Sequence, residues 1–71
     1  ASTWQLQVIG EGIQISGAPE RAPYRLSDEA GRLLQRGYTD ATGKANVAFK
    51  ANKARVYILT VGRESLKFMM P

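Results

Sequence analysis

Residues 23–44 read Pro23-Tyr24-Arg25-Leu26-Ser27-Asp28-Glu29-Ala30-Gly31-Arg32-Leu33-Leu34-Gln35-Arg36-Gly37-Tyr38-Thr39-Asp40-Ala41-Thr42-Gly43-Lys44, and this run decides the fold. Tyr24-Arg25-Leu26-Ser27 alternates with period two, the pattern of a strand with one buried face. Asp28-Glu29-Ala30-Gly31 then closes a tight hairpin. Asp caps such a turn through its own side chain, and Gly31 supplies a positive φ at no steric cost. Arg32 to Tyr38 is the returning strand. Thr39-Asp40-Ala41-Thr42-Gly43-Lys44 is a second turn built the same way.

The same reading extends outward on both sides. Ala45-Asn46-Val47-Ala48-Phe49 alternates, with small or apolar residues at 45, 47 and 49 on one side. Lys50 to Ala54 is a polar link. Arg55 to Val61 is the strongest strand, with Tyr57, Leu59 and Val61 on one face and Val56, Ile58 and Thr60 on the other. Gly62-Arg63-Glu64 turns the chain, and Ser65 to Met70 is the last strand, with Leu66, Phe68 and Met70 in one register. Towards the N-terminus, Trp4 to Ile9 is a strand in which Trp4, Leu6 and Val8 alternate with Gln5 and Gln7. Gly10-Glu11-Gly12 breaks it, and Ile13-Gln14-Ile15 is a short second strand. Ser16 to Pro23 is a loop, because Pro19 and Pro23 cannot donate ladder hydrogen bonds. The only helical candidate, Ser27 to Arg36, is interrupted by Gly31. Neither an internal repeat nor a low-complexity tract is visible. Six or seven short strands with regular turn signals predict an all-β sandwich or small barrel.

At 71 residues the chain is expected to be one domain, 1–71. A chain near this length buries only about 60% of its unfolded surface, so its stability should be modest unless a parent chain or partner supports it. It starts with Ala, which suggests excision from a longer chain. No run of about 18 apolar residues predicts a membrane span, and no basic-then-apolar leader predicts a signal peptide.

Cys and His are both absent. That removes disulfides, thiolate chemistry, the usual neutral-pH general base and the commonest metal ligand. The carboxylates of Asp28, Glu29 and Asp40 sit in turns and read as turn caps and solubilising groups. Thr39 to Gly43 lacks the alternating oxygen ligands of a calcium loop. Gly10-Glu11-Gly12 is no phosphate cradle, because no helix follows it. No enzyme activity, cofactor or metal is expected.

The net charge is +4. The basic residues are spread from Arg21 to Lys67 with no run of three, which reads as a solvated surface. Aromatics beside basic residues would suit nucleic acid. Tyr24-Arg25, Arg36 with Tyr38, and Arg55 with Tyr57 come nearest, but Tyr24 and Tyr57 share a face with apolar residues and fit core packing better.

The run Pro23 to Lys44 resembles the hairpin of transthyretin-like (prealbumin-like) β-sandwich domains. There a strand ends in Asp and Gly, a Leu-containing strand follows, and then Gly-x-Thr-Asp-x-x-Gly; carboxypeptidase regulatory-like domains share the second half. The version opening Pro-Tyr-Arg-Leu with an Asp-x-x-Gly-Arg turn is most similar to the domain at the C-terminus of VgrG spike proteins of the bacterial type VI secretion system. The match covers about a third of the chain; the flanking strands agree in pattern only. The resemblance implies a small transthyretin-like or Ig-like sandwich that docks an effector or toxin for delivery, possessing structural rather than catalytic motif residues. It further implies excision from the C-terminus of the longer chain, a bacterial cytoplasmic location before firing, delivery into a target cell afterwards, and the rest of a trimeric spike as a second partner.

A strand apolar on both faces is usually central or covered by something. Arg55 to Val61 has that character, and Met69 sits opposite Leu66 and Phe68. The expected protein-binding residues are therefore Val56, Ile58, Lys67 and Met69, the outward registers of the last two strands. Docking would proceed through that outer face or by strand addition at an open sheet edge. A nucleic-acid-binding barrel and a spacer domain without a partner are the competing readings.

Overall fold

Every alternating stretch becomes a strand. In the computed structural model, which describes residues 4–10, 12–48 and 55–70 (Arg55 by its backbone alone), the elements are all β. They are β1 Gln5–Ile9, β2 Gly12–Ser16, β3 Pro23–Asp28, β4 Leu33–Tyr38, β5 Ala45–Ala48, β6 Arg55–Val61 and β7 Glu64–Met70. The expected contribution of Phe49 to β5 and the polar link 50–54 lie outside the described residues.

The strands form two antiparallel sheets, β1-β2-β5 and β4-β3-β6-β7, so the fold is a small β-sandwich. Side chains on one face of each sheet make the core: Ile13, Ile15 and Val47 from the smaller sheet, Leu26, Tyr57, Leu59, Val61 and Met70 from the larger. Trp4 is also buried, although β1 begins one residue after it. On the edge strands β1 and β7, Val8 and Leu66 hold core registers and are still 37% and 39% exposed. A hydrogen bond from the Gln35 amide to the Ala48 carbonyl ties β4 to β5 across the sandwich.

Both Asp turns are built as their chemistry demands. Asp28 Oδ1 accepts from the N–H groups of Ala30 (3.0 Å) and Arg32 (2.9 Å), while Gly31 takes φ +87°. Asp40 Oδ1 accepts from the N–H groups of Thr42 (2.8 Å) and Lys44 (3.0 Å) and from the Thr42 hydroxyl (2.7 Å). The Thr42 hydroxyl first, then the Lys44 and Thr42 backbone N–H groups, hold the Asp40 carboxyl below its ordinary 3.8. A carboxyl with a lowered folded-state pKa adds stability above its unfolded pKa and loses it as pH falls through the folded value. The melting temperature should therefore drop on acidification below pH 3.8, and drop less steeply in Asp40→Asn, whose side chain does not titrate. Fluorescence of the single, buried Trp4 reports the transition; parallel pH profiles for the two proteins would rule this contribution out.

Candidate functional site

Alternation along β3, β4, β6 and β7 sends one set of side chains inward and leaves the other on the outer face of the larger sheet. The four residues singled out from the sequence meet there. Val56 lies directly opposite Met69, and Ile58 directly opposite Lys67. Met69 is 63% exposed and Lys67 is exposed, while Val56 and Ile58 are half-buried. That half-burial comes from flanking strands, since β6 lies between β3 and β7.

Register extends this face across the sheet. Ile58 is paired with Ser27 on its other side, and Ser27 with Leu33 of β4. The pairing of β3 with β4 shifts between Leu26 and Ser27. An extra residue in one strand of a pair marks a β-bulge. Leu34 packs against the core while Leu33 is 47% exposed. Leu33, Ile58, Val56 and Met69 thus form the apolar half of the face. The other half is basic. Arg25 lies directly opposite Arg36, both exposed, and Thr60 and Ser65 continue the same row. The hydroxyls of Thr60 and Ser65 bond each other at 2.9 Å.

Beyond the two arginines, Tyr38 is 73% exposed and paired with Pro23. Tyr24 belongs to the inner face, where its hydroxyl lies 2.7 Å from the position a Cβ on Gly37 would occupy. Pro23, Tyr24, Arg25, Arg36, Gly37 and Tyr38 line a cleft of about 500 Å³. Sequence reasoning named Arg25, Arg36 and Tyr38 only as weak nucleic-acid candidates and did not name Leu33. Alternation places the first three on the outer face, but nothing local shows that the bulge turns Leu33 there as well.

The outer face of the smaller sheet is different in kind. Gln7, Gln14 and Asn46 lie side by side across it, with Gln5 opposite Ser16 and Ile9 opposite Gly12. It carries no charge among the described residues. No group of three metal-ligating side chains occurs among the described residues.

No family model, curated protein or solved structure matches the chain. The transthyretin-like reading therefore rests on the residues of 23–44, beside a two-sheet architecture of the expected class.

Proposed function

We propose that the chain is a non-catalytic protein-docking module, working through the outer face of β4-β3-β6-β7. The observation that carries this reading is an apolar cluster, exposed at Met69 and Leu33 and half-buried at Val56 and Ile58, on a sheet face with no covering layer among the described residues. Contiguous exposed apolar surface is uncommon on small domains unless it binds something. Lys67 and the two arginines border it, giving the polar rim that such interfaces have. Strand addition is the second route: among the described residues β4 and β7 each pair on one side only, and their other edges offer backbone N–H and C=O groups.

The partner class proposed is an effector or toxin carried by a type VI secretion spike. Its support is the resemblance of residues 23–44 to the C-terminal domain of VgrG spike proteins. The test uses the tagged chain to capture partners from bacterial lysate, beside Ile58→Asp and Met69→Asp variants shown to be folded by the Trp4 signal. The expected result is one protein retained by the parent in both low and high salt and lost, at least tenfold, by each variant. Equal retention by the variants overturns docking through this face. Nucleic acid eluting as salt rises would instead identify phosphate contacts, which release counterions.

A further inference from the structure

The two halves of the outer face differ in what they can recognise, and the basic half poses a specific physical problem. Arg25 and Arg36 are direct cross-strand partners. Side chains so placed have Cβ atoms about 5 Å apart, and like charges there are destabilising. The cost is not relieved within the chain: no carboxylate holds an outer-face register on β3, β4, β6 or β7 among the described residues. Glu20, Asp28, Glu29, Asp40 and Glu64 lie in turns, in loops or at strand ends, and Asp28 and Asp40 are engaged with their own turns. Among the described residues the face thus holds Arg25, Arg36 and Lys67 with no opposing charge.

We infer that the cleft around Arg25, Arg36 and Tyr38 is a carboxylate-recognition subsite for an acidic-apolar segment of a partner protein. This rests on the docking role proposed above and names its chemistry. Guanidinium groups bind carboxylates through two parallel N–H···O bonds, and Arg is the residue best suited to such planar recognition. One bound carboxylate between two guanidiniums relieves their repulsion. The exposed Tyr38 ring adds an amphipathic wall of the kind enriched at interfaces.

Adjacency selects a protein as the occupant. Arg25 and Ser27 are successive outer-face positions on β3, so the guanidinium row lies about 7 Å from the row of Leu33, Ile58 and Lys67. A segment with acidic side chains followed by apolar ones fills both rows. A nucleic-acid backbone would satisfy the arginines and leave Ile58, Leu33 and Met69 unused. A second copy of this chain would bring three positive charges against three.

The experiment is an NMR titration of the full chain with an acetylated, amidated peptide of two glutamates followed by two leucines. Shift changes are expected at the backbone amides of Arg25, Arg36, Tyr38 and Ile58. Affinity should fall at least tenfold when the glutamates become glutamines, and at least tenfold in the Arg25→Gln/Arg36→Gln double variant. Arg36→Glu gives a readout that a structural role for Arg36 would not: it pairs Arg25 internally, so it should abolish peptide binding while the melting temperature stays level or rises. Unchanged affinity in the double variant, no binding of the peptide, or tighter binding of a thymidine oligonucleotide than of the peptide would each overturn the proposal. Failure of the wider docking role is distinguishable: the double variant would then lose the peptide while Ile58→Asp and Met69→Asp keep their lysate partner.

Discussion

Gly43→Ala is expected to destabilise the domain by about 2–5 kcal/mol, enough to leave a chain of this size largely unfolded at physiological temperature. Two independent effects combine at this position. Gly43 takes φ +76°, where a Cβ is strained. The same Cβ would also lie 1.9 Å from the carbonyl oxygen of Ala18. That oxygen belongs to backbone, and neither segment can shift freely, because the Ala18 N–H donates to the Gly43 carbonyl at 3.2 Å and the Gly43 N–H to the Asp40 carbonyl at 3.1 Å. Gly31 separates the two effects. Its φ is +87°, and nothing lies within 4 Å of an added Cβ. Gly31→Ala should therefore cost only about 1–2 kcal/mol, the conformational part alone. Urea unfolding followed by Trp4 fluorescence measures both variants. Equal losses would show that the contact with Ala18 contributes nothing.

The second large effect is expected at Thr39. This is the buried polar side chain among the described residues, 3% exposed, and it is fully satisfied. Its hydroxyl accepts from the Ala22 N–H at 2.8 Å and donates to the Pro19 carbonyl at 2.6 Å. Its own N–H donates to the Ala22 carbonyl at 2.9 Å. Valine keeps the shape and removes the hydroxyl, leaving the Ala22 donor and the Pro19 acceptor without it. An orphaned buried group costs about 1–3 kcal/mol, so Thr39→Val should lose roughly 2–4 kcal/mol. Thr39→Ser keeps both bonds and gives up a methyl group, about 1 kcal/mol. If serine proves as harmful as valine, the hydroxyl is not what holds this loop.

Gly43 and Thr39 serve one construction. The loop after β2 lies against the turn between β4 and β5, held by backbone bonds from Ala18 to Gly43 and from Arg21 to Asp40 and by the Thr39 hydroxyl. Arg21 is the one described non-glycine residue with a positive φ, +49°, and its N–H is used in this contact. The seam ends where Pro23 and Tyr38 begin the paired part of β3 and β4, so the rigidity of the loop sets the position of the Tyr38 end of the cleft. Loss of the Thr39 hydroxyl should reach the basic subsite through that connection.

Local physics made much of this fold legible in the sequence. Alternation placed Leu26, Leu59 and Val47 inward and Val56, Ile58, Lys67 and Met69 outward, because strand periodicity needs no knowledge of the partner strand. Asp28, Gly31, Asp40 and Gly43 marked both turns, because a side-chain cap and a positive φ are properties of a few neighbouring residues. Tertiary structure alone decided which strands pair: β2 joins β5, and β3 joins β6, across long stretches of chain, so the choice depends on burying all the inward faces together. Register within the β3–β4 hairpin sets Arg25 against Arg36, and the bulge in that hairpin turns Leu33 onto the outer face. The basic subsite and its apolar neighbour are products of register, which no single strand encodes.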